Sequence, residues 1–224
     1  MEKTENNYIF TKISNKLIEI MKKLLSVAII CSAVLMSCSN NETTKNTKSD
    51  EKSVKVEDST VLKKGKSIAM GSAKTLGSKL KKAIKKGGPI AGISVCSSQA
   101  TKLTDSLSQV YNVKIKRVSL KNRNENNLAN KTEKNILESW QTKIDNGTPI
   151  KPKVLRTDNN EITFVAPIKV KHQCIVCHGT DDFVSPEVRL KLKEHYPNDK
   201  ARNYNEGDLR GAWVITFPKD YFKK

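Results

Sequence analysis

The segment Cys174-Ile175-Val176-Cys177-His178 constrains this chain more than any other feature of its sequence. In a Cys-x-x-Cys-His motif, two thiols are spaced to add to the vinyl groups of one haem, and the adjacent histidine is placed to bind its iron. A Cys-x-x-Cys pair is also half of a tetrahedral zinc site, a redox dithiol or a structural disulfide turn. The zinc interpretation lacks a second pair of ligands. Residues 179–182 indicate a loop where a thioredoxin-type dithiol would begin a helix. We therefore expect one covalently attached haem c, carried by Cys174 and Cys177, with His178 binding the iron.

The N-terminal region has the pattern of a secretory signal. Met21-Lys22-Lys23 precedes an apolar run over residues 24–36, about 13 residues long, whereas a bilayer span takes about 20. We expect translation to start at Met21. Residues 1–20 would then be an extension that is not translated or is removed, and residues 21–37 the signal peptide.

The end of this run predicts a lipid anchor. Leu35-Met36-Ser37-Cys38 resembles the bacterial lipobox, in which the signal is cleaved before the cysteine and that cysteine receives lipid. A plain secretory signal cut near Ser37 is the alternative. Lipidation of Cys38 and thioether attachment of haem both predict the bacterial cell envelope, with the protein anchored to a membrane and facing the periplasm.

Charge and composition divide the rest of the chain. The formal net charge is +18, and removal of residues 1–37, with five Lys and three Glu, lowers it to about +16. Outside the cytoplasm, such a basic protein is expected to meet anionic lipid, surface polyanions or an acidic redox protein rather than nucleic acid. Residues 38–58 are too polar to fold and are predicted to be a disordered tether. Residues 59–224, about 165 in number, suffice for one domain.

Helical patterns precede extended ones in that domain. The first helix is predicted from a cap at Ser59 or Thr60 to Gly87-Gly88, and the second from Pro89 to about Val110. A strand is predicted over 113–120, followed by a helix capped by Thr132 that runs to 144. Two hairpin strands are predicted over 151–156 and 161–170, with a turn at 158–160. A helix over 186–195 and a strand over 211–217 complete the predicted elements. This order of elements predicts an α+β domain.

The first predicted helix is strongly basic. Its polar positions hold Lys63, Lys64, Lys66, Lys74, Lys79, Lys81, Lys82, Lys85 and Lys86, without one acidic residue. Charge of a single sign on a helix is weak support for a partner, so an ordinary solvated face is the favoured interpretation. A docking face for lipid head groups or an acidic partner is the alternative.

Cysteine accounting leaves one thiol over. Cys31 lies in the signal, Cys38 is the predicted lipid site, Cys174 and Cys177 are assigned to haem, and Cys96 remains. An unpaired thiol in an oxidising compartment needs shelter or a role. Cys96 lies on the apolar stripe of the second predicted helix and is expected to point into the core. It is therefore either a buried small hydrophobe or the second axial ligand of the iron.

Other side chains compete for that second position. Met70 would give a conventional electron carrier with a raised potential, and His195 would give a histidine pair, whereas a thiolate from Cys96 would lower the potential. His172 lies two residues before Cys174, on the segment that must wrap one side of the haem, so it is badly placed to reach the other side.

Several segments together resemble the signatures of the c-type haem family with a PAS-like fold, whose members are single-domain cytochromes and sensor segments of histidine kinases and chemoreceptors. They are, in family order, VCSSQA (95–100), RVSL (117–120), RNENN (123–127), API (166–168), CIVCHG (174–179), YPNDKA (196–201) and GDLRGA (207–212). The resemblance covers roughly residues 59–218. It implies a central antiparallel sheet flanked by helices, with the iron held between His178 and Cys96 on an N-terminal helix.

Arginines in these segments have two interpretations. Arg117, Arg123 and Arg210 are predicted to contact the haem propionates, because a planar guanidinium matches a carboxylate. Loop and turn structure explains the surrounding Asn and Gly residues equally well. Phe164 and Trp213 are interpreted as core or haem-pocket packing.

Three functions remain. The protein is expected to be a lipid-anchored mono-haem cytochrome that transfers single electrons or senses redox state or a gas through His/Cys-ligated iron. A conventional His/Met or His/His electron carrier is the alternative. A peroxidase-like enzyme is least favoured, because it would need an open iron position. No kinase or other output domain fits in this chain, so a separate redox or signalling partner, acidic in character, is expected.

Overall fold

The computed structural model describes residues 56–157 and 161–223 of the chain. Its elements in chain order are α1 (Asp58–Ser98), α2 (Ala100–Tyr111), β1 (Lys114–Val118), a 3₁₀ turn (Glu125–Asn127), α3 (Lys131–Asp145), β2 (Lys153–Arg156), β3 (Ile162–Lys169), a second 3₁₀ turn (His172–Cys174), α4 (Ile175–His178), α5 (Pro186–His195) and β4 (Leu209–Phe217). The α+β prediction is confirmed. The expected extension, signal peptide, lipidated Cys38, residues 39–55 of the tether and the predicted turn at 158–160 lie outside the described residues.

The four described strands form one antiparallel sheet in the order β1-β4-β3-β2. β4 lies in the interior of the sheet and pairs with β1 on one edge and with β3 on the other. β2 and β3 form the predicted hairpin, with Lys153 opposite Val165 and Arg156 opposite Ile162. The last strand of the chain therefore joins the first strand to the hairpin.

Helices cover both faces of the sheet. Side chains alternate along a strand, so Trp213 and Ile215 face α1 while Ala212 and Val214 face α3. The α1 face is filled by Val61, Ile68, Ala69, Val113, Ile115, Phe164, Trp213, Ile215 and Phe217. The α3 face is filled by Val118, Ile136, Leu137, Trp140, Val165, Leu209, Ala212 and Val214. Burial on both faces explains why β4 is apolar along most of its length.

Helix α1 is kinked where the sequence predicts a break. Gly87 and Gly88 have non-helical backbone angles, and Gly88 has φ of 66°, a left-handed value that favours glycine. Pro89 then starts the second half, which folds back on the first. Gly92 allows this close approach, because a β-carbon there would lie 2.8 Å from Cγ1 of Ile84. None of the helices within residues 56–157 and 161–223 is long and apolar enough to cross a membrane.

The predicted cap of α1 is wrong. The helix begins at Asp58, and neither Ser59 nor Thr60 caps it. Arg156 fixes this end by donating from Nη2 to the Val56 carbonyl at 2.6 Å and to Asp58 Oδ1 at 2.5 Å. Val56 also packs against the core, so the last residues of the predicted tether belong to the folded domain.

The cap of α3 also differs from the prediction. The side chain of Asn130, and not that of Thr132, accepts a hydrogen bond from the Glu133 amide. The Glu133 carboxylate in turn accepts from the Asn130 amide, which completes a capping box. Glu133 also pairs with Lys116 on β1 at 3.1 Å. The local capping box marks the start of this helix, and the ion pair joins that end to β1.

The second predicted helix, which was expected to run to Val110, is interrupted. Gln99 has φ of −121° and ψ of −23°, which separates α1 from α2. Ile93, in the last part of α1, packs with Val184, Val188 and Leu192 around α5. This contact holds the part of α1 that carries Cys96 against the segment that follows the Cys-x-x-Cys-His motif.

We predict that Ile93→Ala lowers the free energy of unfolding by about 2–4 kcal/mol, because it leaves a cavity between α1 and α5. Ile93 is 2 % exposed, whereas Leu190 on α5 is 70 % exposed. Leu190→Ala is the matched control and should change stability by less than about 0.5 kcal/mol. Urea titration measures both changes, and equal losses in the two variants would contradict this packing.

Candidate functional site

The Cys-x-x-Cys-His motif folds as a short helical segment soon after β3. The 3₁₀ turn His172–Cys174 leads into α4, Ile175–His178. Residues three apart lie on the same side of a helical turn, so Cys174 and Cys177 are neighbours on one face. Both are free thiols and both are partly buried.

The loop after α5 binds the end of this motif. The Tyr204 amide donates to the His178 carbonyl at 3.0 Å, and the Asn203 amide donates to the Gly179 carbonyl at 3.1 Å. Asn203 has φ of 59°, a conformation that asparagine tolerates better than most residues. These bonds fix the backbone on which the His178 side chain is mounted.

The His178 imidazole is held in one tautomer. Its Nδ1 lies 2.8 Å from the Ala201 carbonyl oxygen. A carbonyl only accepts, so Nδ1 carries the hydrogen and Nε2 keeps a free electron pair. Burial holds the pKa of His178 well below its usual value, and the charges of Arg123 and Arg210 lower it further. The imidazole is therefore neutral, which is the form that binds metals.

Cys96 lies in the last part of α1, among the same arginines. Burial raises the pKa of its thiol, while the guanidinium groups of Arg117, Arg123 and Arg210 act in the opposite direction. Burial also raises the pKa of Cys177; Arg123 opposes that change, and Cys96 adds to it. The sequence predicted that Cys96 points into the core. It is half-buried and lies within electrostatic reach of the motif.

Arg117 has a buried N–H group without a hydrogen-bond partner among the described residues. It lies on β1 opposite Trp213, and its guanidinium carbon is 5.9 Å from the centroid of that ring. The buried N–H group is that of Nε. Burial lowers the pKa of Arg117, and the neighbouring Cys96 and Tyr196 oppose that change. Such a group favours an anionic neighbour.

Arg210 is held at the start of β4. It donates from Nη1 to Ser119 Oγ at 2.8 Å and to the Lys121 carbonyl at 3.1 Å. Its guanidinium lies 5.4 Å from the ring centroid of Tyr204. The Tyr204 ring is also in edge contact with the His178 ring, at 6.3 Å between centroids. Arg210 is therefore fixed on the same aromatic ring that supports the imidazole.

Arg123 is anchored by protein groups. It lies in the loop after β1 and forms a buried ion pair with Asp199 at 3.0 Å, in which both side chains are 9 % exposed. It also donates to the Cys177 carbonyl at 2.6 Å. The predicted contact between Arg123 and a propionate stays a prediction.

The competing iron ligands lie on the surface. Met70 is 62 % exposed on α1. The His172 side chain is 86 % exposed and lies 3.4 Å from Glu206. His195 is exposed at the end of α5. Cys96 is thus the one of these four side chains that shares the surroundings of His178.

Sequence reasoning missed several contributors to the site. Ala201 acts through its carbonyl and Tyr204 through its amide, and these two roles depend on no residue type. The Tyr204 ring also contacts His178, but it lies in a loop without a repeating pattern. Tyr196 packs beside Arg123, and burial together with Cys96 raises its pKa to about 12, so its hydroxyl stays protonated. The YPNDKA segment at 196–201 is the sequence signal for this loop, and it assigns no role to individual residues.

The site brings together a defined set of chemical groups. It comprises one imidazole nitrogen, two adjacent thiols, a third thiol on another element, and guanidinium groups able to bind an anion. Within residues 56–157 and 161–223, no cluster of three or more His, Cys, Asp or Glu side chains could hold a metal ion. The fold and site together define an α+β domain with an arginine-flanked Cys-x-x-Cys-His segment.

The chain belongs to the Tll0287-like family, whose family model matches residues 7–218. Among solved structures, the cyanobacterial heme-protein Tll0287 is similar, with 20 % sequence identity and a TM-score of 0.48. That similarity covers 67 % of this chain and 95 % of the other. No curated protein matches the chain.

Proposed function

We propose that this chain is an envelope, lipid-anchored mono-haem c-type protein with a PAS-like fold. In this proposal Cys174 and Cys177 carry one haem through thioether bonds, and His178 and Cys96 bind its iron. The main support for this proposal is the hydrogen bond from His178 Nδ1 to the Ala201 carbonyl. It leaves Nε2 free to bind iron, next to two adjacent thiols. A redox dithiol and a disulfide turn leave this imidazole without a role. A zinc site would use it, but no cluster of three or more His, Cys, Asp or Glu side chains among the described residues could hold that ion.

The surrounding residues fit a haem. Its propionates are anionic, and Arg117 offers a buried Nε without a hydrogen-bond partner among the described residues. Arg123 and Arg210 place further positive charge near His178 and Cys96. We propose that these arginines lie next to the haem propionates, and that Arg117 donates to a propionate through its unpartnered Nε.

The chain would supply the ligands and their electrostatic setting. When bound, a c-type haem supplies one-electron iron chemistry. His178 binds as a neutral imidazole, and Cys96 binds as a thiolate that has lost its proton. A thiolate donates electron density and lowers the reduction potential. Arg117, Arg123 and Arg210 offset the negative charge that thiolate and propionates bring into a buried site.

Two uses of this site are proposed, one-electron transfer and the sensing of redox state or a gas. The exposed positions of Met70 and His195 support Cys96 over the His/Met and His/His alternatives. A peroxidase-like enzyme has the least support, because it needs an open iron position. The antiparallel sheet with helices on both faces supports the PAS-like part of the proposal.

The proposed location and partner rest on the sequence and on α1. The segment Leu35-Met36-Ser37-Cys38 supports the lipid anchor and the periplasmic side of the envelope. All nine lysines of α1 are exposed. No acidic residue occurs between Asp58 and Asp105. An acidic redox or signalling protein near the membrane is therefore the proposed partner.

Intact-mass spectrometry tests attachment and processing together. We expect a chain that starts at Cys38 with added lipid and carries one haem, because the lipobox and the Cys-x-x-Cys-His motif act independently. Changing both Cys174 and Cys177 to Ser should remove the haem and leave the lipid. Residues remaining before Cys38 would contradict the anchor, and a haem-free native protein would contradict the site.

Cys96→Ser tests the second ligand. We expect altered visible and spin-resonance spectra of the oxidised protein and a higher reduction potential, because a thiolate ligand is lost. Met70→Leu is the control and should leave both unchanged, since Met70 is 62 % exposed. Identical spectra for Cys96→Ser and the unmodified protein would exclude Cys96 as the ligand.

Carbon monoxide or nitric oxide separates the two uses. Sensing predicts a low potential and ready replacement of one axial ligand by the gas. Electron transfer predicts a higher reduction potential and an iron that does not bind the gas. Redox titration with and without each gas measures both properties.

A further inference from the structure

The Arg123 side chain joins three separate segments of the chain. Nε donates to Asp199 Oδ1 at 3.1 Å, and Nη2 donates to the Cys177 carbonyl at 2.6 Å and to the Ala201 carbonyl at 3.1 Å. Nη2 also lies 3.0 Å from Asp199 Oδ2. A buried guanidinium with this many partners is confined to one orientation.

The Ala201 peptide is the point where these contacts converge on the imidazole. Its carbonyl accepts from Arg123 Nη2 and lies 2.8 Å from His178 Nδ1. Its amide donates to Asp199 Oδ1 at 2.8 Å. Both polar groups of Ala201 are therefore held by the ion pair, and the acceptor that orients His178 cannot turn without breaking it.

The neighbouring backbone belongs to the same arrangement. The Lys200 amide donates to the Asn122 carbonyl at 3.1 Å, and Lys121 Nζ donates to the Arg202 carbonyl at 2.6 Å. The loop after β1 and the loop after α5 are thus also bonded to each other directly beside the ion pair. Movement of either loop would move the His178 acceptor.

We propose that Arg123 and Asp199 are positioning residues that set the orientation of the His178 imidazole through the Ala201 carbonyl. The inference rests on the proposed function in that it gives His178 the role of iron ligand. Groups bonded behind a ligating histidine fix its tautomer and its ring orientation. Arg123 acts here through the protein and needs no contact with a propionate.

Asp199→Asn tests this role, because it removes the carboxylate charge, keeps the shape and leaves Arg123 in place. Arg123→Lys is the second variant, since lysine keeps the charge and loses the planar set of donors. The control is Glu133→Gln, which weakens another buried carboxylate, 6 % exposed, paired with Lys116 away from His178.

Two readouts are measured on the full chain. In the haem-loaded protein, Asp199→Asn and Arg123→Lys should shift and broaden the spin-resonance signal of the oxidised iron. In the haem-free protein, amide hydrogen exchange at Asn203 and Tyr204, which bond to the Gly179 and His178 carbonyls, should become at least about tenfold faster. Glu133→Gln should change neither readout.

A folded Asp199→Asn variant with the native spin-resonance signal and native exchange would overturn the proposal. If Asp199→Asn keeps the native signal and native exchange while Arg123→Lys changes the spin-resonance signal, Arg123 acts on propionates alone. That outcome also overturns the proposal. Where Asp199→Asn does not fold, Arg123→Lys decides through both readouts. A native chain without haem would refute the proposed function, and the exchange measurement on the haem-free protein would still decide whether the ion pair holds this segment.

Discussion

Hydrogen bonding along both edges of β4 is the constraint on which the rest of the domain depends. This strand connects β1 to the β2–β3 hairpin, and its two faces are covered by α1 and α3. The pairing places Arg117 of β1 opposite Trp213, and it places Arg210 at the start of β4 next to the loop that binds His178. β3, on the other edge, leads into the Cys-x-x-Cys-His segment. Groups far apart in the chain therefore share one end of the sheet.

The electrostatics of the site follow from this arrangement. Arg123 and Arg210 act on both the His178 imidazole and the Cys96 thiol. Charges in a poorly hydrated site are costly unless they are compensated. Asp199 compensates Arg123, whereas Arg117 keeps a buried Nε without a hydrogen-bond partner among the described residues. A site with this excess of positive charge favours anionic groups, and in the proposed site these would be the propionates of the haem and the thiolate of Cys96.

The chain belongs to the Tll0287-like family, and the proposal for its site rests on the geometry of the site. The family model spans residues 7–218, which includes every residue assigned to the site. The geometry adds what a family match cannot, since it distinguishes the half-buried thiol of Cys96 from the exposed side chains of Met70 and His195. It also assigns Arg123 to the support of His178. Whether a thiolate-ligated iron transfers electrons or reports a signal then depends on how firmly Cys96 would be held.

The sequence by itself determined the class of fold, the helix break at Gly87-Gly88 and the residue types of the site, because helical period, strand alternation and the Cys-x-x-Cys-His spacing are local patterns. It predicted Thr132 as the cap of α3, but Asn130 holds that position, because Asn130 and Glu133 form a local capping box that the prediction overlooked. Only the tertiary structure decided that Arg123 binds Asp199 and that Ala201 orients His178. Loop residues have no repeating pattern, and a backbone carbonyl has no residue signature. Their partners are therefore set by which segments the paired strands bring together.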